Sequence, residues 1–162
     1  ESTSCVECEA GVTYKPSAGD SPCLYCDPHS SGCGPVSAGV CKAGYYGHAG
    51  SVSCKACPVA TYKHEEVDGA EVTVCSACPS GTTTLTSGST DAAACSECAA
   101  GFGGDAGTAC SECEVNVSYK KEAGNADCTS CAENVTGCGG AEVGVCSEGY
   151  GGDLDAVHGG GG

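Results

Sequence analysis

The sequence contains no isoleucine, methionine, tryptophan or arginine, one phenylalanine (Phe102) and three leucines (Leu24, Leu85 and Leu154). A chain of 162 residues ordinarily folds around an apolar core, but the side chains that build such a core are missing here. Alanine and valine bury too little surface to offset a backbone ordering cost of about 1–2 kcal/mol per residue. With six lysines against 21 acidic residues, the formal charge is −15. That balance disfavours nucleic acid and anionic lipid as partners, since binding either requires clustered cations that displace counterions. No apolar run reaches the roughly 18–20 residues of a membrane span, so no transmembrane segment is expected. The chain starts at Glu1 without a signal-peptide pattern, and the expectation is a mature secreted form or a segment of a longer secreted protein.

What the chain has instead is cysteine, 18 residues in all. An even count at this density predicts an oxidised scaffold from a secretory, extracellular or cell-surface location. Cys5, Cys8, Cys23, Cys26, Cys33 and Cys41 recur as Cys110, Cys113, Cys128, Cys131, Cys138 and Cys146, every pair offset by 105 positions. Val12, Tyr14, Lys15, Gly39, Gly44 and Tyr45 recur at the same offset as Val117, Tyr119, Lys120, Gly144, Gly149 and Tyr150. A repeat without insertion or deletion marks an array. The expected organisation is residues 1–53 as the first cysteine-rich copy, 54–109 as intervening CxxC modules, 110–152 as the second copy and 153–162 as a glycine-rich tail.

Seven CxxC pairs punctuate the chain, and two module types tile it. In one, the second cysteine of a CxxC leads to Thr or Ser followed by Tyr: CEAGVTY from Cys8, CPVATY from Cys57 and CEVNVSY from Cys113, with CPSGTTT from Cys78 lacking the ring. In the other, cysteine precedes x-x-Gly-aromatic-x-Gly: CKAGYYG from Cys41, CAAGFGG from Cys98 and CSEGYGG from Cys146. Each ring in these two registers is expected to cover a disulfide as a miniature core. Helix beyond a single turn is not expected, and alternating fragments such as Glu71 to Val74 suit two-stranded hairpins. The fold class is therefore small disulfide-rich repeats, an elongated array of short β-hairpin and loop modules with minimal core.

These motifs resemble the cysteine-rich repeats of tumour necrosis factor receptors, growth-factor receptors and ephrin receptors, and the CxxC-rich surface-coat and flagellar-hair proteins of protists. The CxxGYxG pieces are similar to the end of an EGF-like module. They depart from it in closure, because Cys54 follows Gly47 by seven residues rather than closely.

If each module closes its own loop, the bridges are Cys8–Cys23, Cys26–Cys33, Cys41–Cys54, Cys57–Cys75, Cys78–Cys95, Cys98–Cys110, Cys113–Cys128 and Cys131–Cys138. Cys5 and Cys146 are left over. The repeat makes each of them half a bridge, so Cys146 of one copy is the candidate partner of Cys5 in the next. That holds between subunits stacked head to tail or between successive repeats of one polypeptide; the alternative is that Cys5 pairs within its own chain, with Cys146 or elsewhere.

Asn116-Val-Ser118 and Asn134-Val-Thr136 are N-glycosylation sequons. The hydroxyl run Thr82, Thr83, Thr84, Thr86, Ser87, Ser89 and Thr90 is either plain loop or an O-glycosylated stripe. CxxC-x14-CxxC, from Cys5 to Cys26 and from Cys110 to Cys131, has structural-zinc spacing. The lone cysteines Cys33, Cys41, Cys138 and Cys146, the sequons and the lack of basic residues argue against it, so no metal is expected beyond weak calcium binding at Asp153 and Asp155. No βαβ pattern surrounds any CxxC to suggest redox catalysis. GFGGDA from Gly101 matches GxGxxA without the strand and helix that motif needs. His29, His48, His64 and His158 form no spaced motif, each reading as solvated surface, as does His64-Glu65-Glu66. No enzyme, catalytic residue or cofactor other than glycans is expected. The function expected is a structural subunit of a glycosylated extracellular filament or surface coat, self-associating head to tail; the alternative is a ligand-binding ectodomain using Tyr25 and Tyr46.

Overall fold

A computed structural model describes residues 4–50, 53–64 and 73–154. Glu65, Glu66, Asp155, His158 and Gly159 to Gly162 lie outside these, as do Glu71 and Glu1. The described residues form eight antiparallel two-stranded hairpins and one 3-10 turn, Ala92–Ala94. The chain divides into two compact units, Glu1–Ala77 with Thr86–Ala92, and Cys78–Leu85 with Ala93–Gly162.

In the first unit β1 (Thr13–Tyr14) pairs with β2 (Leu24–Tyr25), β3 (Ser30–Ser31) with β4 (Val40–Cys41), β5 (Tyr45–Tyr46) with β6 (Lys55–Ala56) and β7 (Thr61–Tyr62) with β8 (Ser76–Ala77). In the second, β9 (Thr82–Thr83) pairs with β10 (Glu97–Cys98), β11 (Phe102–Asp105) with β12 (Ala109–Glu112), β13 (Ser118–Tyr119) with β14 (Thr129–Ser130) and β15 (Val135–Thr136) with β16 (Val145–Cys146). Of the fragment from Glu71 to Val74, Glu71 and Val72 lie outside the described residues, and Thr73 and Val74 are in no strand; β8 begins at Ser76.

Two-residue strands are not held by ladder hydrogen bonds alone. Each hairpin therefore carries a disulfide: Cys8–Cys23, Cys26–Cys33, Cys41–Cys54, Cys57–Cys75, Cys78–Cys95, Cys98–Cys110, Cys113–Cys128 and Cys131–Cys138. Closing a loop of about 15 residues restricts the unfolded chain by about 3 kcal/mol in the chain-entropy model. The CxxC spacing explains why none of these bridges joins the two cysteines of one CxxC pair. Residues three apart on an extended segment point to opposite faces, so the two sulfurs of a CxxC cannot easily meet each other. In Cys54–Cys57, whose central residues are β6, Cys54 bonds back to Cys41 and Cys57 bonds forward to Cys75.

The core is mostly sulfur. The buried apolar side chains are Cys8, Cys41, Cys54, Cys57, Cys95, Cys98, Cys113 and Cys138, with Tyr14 and Tyr119 the two rings among them. Tyr45 instead stacks on the imidazole of His29, ring centroids 4.0 Å apart and planes 9° from parallel. This corrects the reading of His29 as simply solvated: it is half-buried under a ring. His64 meets the edge of Tyr62 at 5.3 Å.

The 105-residue repeat is a repeat of register. Thr13↔Tyr25 and Tyr14↔Leu24 recur as Ser118↔Ser130 and Tyr119↔Thr129, and Ser30↔Cys41 recurs as Val135↔Cys146. Gly39 and Gly144 show why a residue without Cβ recurs. Their φ angles are +75° and +82°, and a Cβ would stand 2.1 Å from Ser31 O or 2.7 Å from Thr136 O.

Candidate functional site

Two internal junctions show how one module docks on the next. In the first unit, the Gly44 amide donates to Lys63 O at 2.8 Å, the Cys57 amide to Gly44 O at 2.8 Å and the Gly47 amide to Thr73 O at 3.0 Å. In the second, Gly101 donates to Lys120 O at 2.8 Å, Cys113 to Gly101 O at 2.8 Å and Gly104 to Ala126 O at 3.0 Å. The same three bonds thus accompany the bridges Cys41–Cys54 and Cys98–Cys110.

A lysine sits at the centre of each junction. The Lys63 side chain, 1% exposed, donates to Cys41 O at 2.7 Å and Lys42 O at 3.2 Å. Lys120, 8% exposed, donates to Phe102 O at 2.9 Å and to Gly124 O. Burial lowers the pKa of Lys120 below its usual 10.5, while Glu97 pulls it the other way. Lys15, the counterpart of Lys120 in the first copy, bonds its own loop at Gly19 O and at Ser21 O, 2.7 Å. The sequence reading missed these lysines as a group. The signal was the recurring T/S-Y-K at Lys15, Lys63 and Lys120.

Cys5 and Cys146 are the free cysteines among the described residues, the first exposed and the second half-buried. Cys5 opens a cleft bordered by Lys15, Ser21 and Cys23, and Cys146 one bordered by Gly151, Gly152 and Asp153. The chain beyond Cys146 follows the course of its counterpart: Cys146 Sγ lies 3.8 Å from Gly152 O, as Cys41 Sγ lies 3.4 Å from Gly47 O.

Asn116 and Asn134 are exposed and occupy left-handed turns at φ 62° and 58°. Within the hydroxyl run, Thr83 and Thr84 are 5% and 1% exposed, and the Thr82 hydroxyl donates to Pro79 O at 2.7 Å. Thr83, in β9, and Thr84, which follows it, are buried, so neither hydroxyl is open to an O-glycan in the folded chain. Thr86, Ser87 and Thr90 stay exposed and Ser89 is half-buried.

No group of three or more His, Cys, Asp or Glu gathers as a metal site among the described residues. The GFGGDA stretch forms β11 and the start of its hairpin turn. Of the two unassigned tyrosines, Tyr25 is 83% exposed beside Leu24, whereas Tyr46 is half-buried.

Residues 44–95 match the family model described as tyrosine-protein kinase ephrin type A/B receptor-like. No curated protein and no solved structure matches the chain. The matched stretch runs from the glycine of the first junction to the cysteine that closes the Cys78–Cys95 bridge. Its eight bridges, its two-residue strands and this match make the chain a cysteine-rich repeat protein that resembles the repeats of ephrin and growth-factor receptors.

Proposed function

We propose that this chain is a structural subunit of an extracellular, glycosylated filament or surface coat, assembled head to tail through Cys146 of one copy and Cys5 of the next. The observation that carries the reading is the position of the two free cysteines. Cys146 repeats Cys41, which bonds forward to Cys54, and Cys5 repeats Cys110, which bonds back to Cys98. A contact between different surfaces of identical subunits propagates as an open chain unless its rotation closes a ring. Rigidity comes from the bridges rather than from a core, and an acidic, sugar-bearing surface keeps the assembly hydrated. A disulfide-rich receptor-like module is compatible with an extracellular location, and no helix among the described residues is long and apolar enough to cross a membrane.

Exposure of both sequon asparagines supports N-glycans on the second copy. The intact mass is expected to fall on enzymatic deglycosylation, with Asn116 and Asn134 converted to Asp; an unchanged mass removes the glycans from the account. The assembly itself is tested by electron microscopy of native material without reductant, which is expected to show filaments. Discrete particles would favour the second reading, a ligand-binding ectodomain, for which the 83% exposure of Tyr25 beside Leu24 is the specific support.

A further inference from the structure

We infer that the two ends of this chain are the separated halves of a ninth hairpin, completed when a second copy of the chain supplies the missing strand. The inference rests on the head-to-tail reading and adds the backbone register, the hydrogen bonds and the residues that select the partner.

Six of the seven CxxC pairs contribute a hairpin's second strand, whereas Val6 and Glu7, between Cys5 and Cys8, belong to none. The mirror deficiency lies at the other end. The turn before Tyr45 leads into β5 and the one before Phe102 into β11, but the same turn before Tyr150 leads into no strand. Transferring the register of β5 with β6, and of β11 with β12, pairs Tyr150 with Glu7 and Gly151 with Val6. An extended segment completing an exposed hairpin edge is β-augmentation, with specificity set by the bonds at either side.

Those flanking bonds are available. By the repeat, the Gly149 amide corresponds to those of Gly44 and Gly101, and its acceptor is Lys15 O of the second copy. The Cys8 amide of that copy reaches Gly149 O, as Cys57 reaches Gly44 O, and the Gly152 amide reaches Ser21 O, as Gly104 reaches Ala126 O. None of these three amides has another hydrogen bond among the described residues. The Lys15 ammonium, now on Gly19 O and Ser21 O, takes up Tyr150 O as Lys120 takes up Phe102 O. A Cβ on Gly44 would meet Gly88 O at 2.3 Å and one on Gly101 would meet Ala141 N at 3.3 Å, while one on Gly149 meets nothing within 4 Å among the described residues. In the proposed assembly the second copy provides at Gly149 the floor against which the corresponding glycines pack at the internal junctions.

Docking places the Cys146 and Cys5 sulfurs as the closing pair. The bond forms by thiol–disulfide exchange with a small-molecule disulfide. The Cys146 thiolate attacks that disulfide and releases one thiol; the Cys5 thiolate then attacks the Cys146 sulfur and releases the second. Two protein thiols are oxidised and one disulfide is reduced to two thiols.

The test mixes two full-length chains, Cys5→Ser at natural isotope abundance and Cys146→Ser uniformly labelled with heavy nitrogen, in a buffer of oxidised and reduced glutathione, and measures the three disulfide dimers by their now distinct masses. Unselective thiols give as much Cys146–Cys5 heterodimer as the two homodimers together. The proposed register is expected to enrich the heterodimer about tenfold over that ratio. Val6→Pro in the Cys146→Ser chain removes one strand amide at a side chain that is 83% exposed, and should restore the unselective ratio with all eight internal bridges intact. An unselective ratio without Val6→Pro, or enrichment that survives it, overturns the inference. Filaments formed by chains with unselective thiols would leave the filament reading standing without this register. Enrichment with discrete particles in the microscope would do the reverse.

Discussion

A chain carrying Cys146→Ser should not extend beyond a dimer. In the proposed assembly each copy offers two free sulfurs, Cys5 and Cys146, so covalent growth would have no internal stop. Removing one leaves each copy a single reactive end, which can join at most one other copy. Non-reducing electrophoresis is expected to change from a ladder of multimers to monomer and dimer, and reduction should collapse both patterns to monomer. The effect is large because it concerns connectivity rather than affinity. A ladder that persists in Cys146→Ser would mean that other sulfurs link the copies, and a native chain that runs only as monomer would remove covalent assembly altogether. Serine is close to cysteine in size and no bridge uses Cys146, so the eight internal disulfides should be retained.

Replacing Lys63 by methionine should open the first internal junction. Methionine keeps most of the apolar stem but donates nothing, and it leaves Cys41 O and Lys42 O without the ammonium now bonded to them at 2.7 and 3.2 Å. Hydrogen bonds from a charged donor contribute about 1.5–3 kcal/mol each, and a buried acceptor left without a partner adds a desolvation penalty. Part of this is offset because the buried ammonium no longer has to be desolvated, and a net loss of about 2–4 kcal/mol remains, felt locally because the disulfides stay closed. The Gly44 amide, bonded to Lys63 O at 2.8 Å, is the reporter. Its hydrogen exchange is expected to accelerate by at least about thirtyfold, since each 1.4 kcal/mol is a factor of ten. Unchanged exchange at Gly44 would show that the ammonium does not hold the junction. At the equivalent place in the next module stands Thr84, also 1% exposed, so the position is buried there without a charged side chain.

The hairpin modules and the near absence of helix were legible because cysteine spacing does what hydrophobic periodicity does in larger folds. A CxxC segment cannot bury both sulfurs on one side when extended, and this by itself implies a chain of linked loops. Other features lay beyond reach for identifiable reasons. The recurring T/S-Y-K marks Lys63 and Lys120 as a set, but the sequence does not announce that carbonyls of the preceding module converge on the ammonium. Thr83 and Thr84 read as part of a hydroxyl stripe, yet both are buried, and a two-residue strand gives no alternation from which to judge a face in advance. The stacking of His29 on Tyr45 joins two modules, and pairings across modules depend on a docking geometry that sequence spacing does not encode. For the candidate site, the repeat offset singled out Cys5 and Cys146, while the hydrogen bonds flanking them required the internal junctions as a template.

The measurement that tests head-to-tail assembly most directly is electron microscopy of native material before and after reductant. The account predicts filaments with one uniform axial repeat per copy, which shorten and disperse once the Cys146 to Cys5 bonds are reduced. Discrete particles of one size, unchanged in length by reductant, would contradict it.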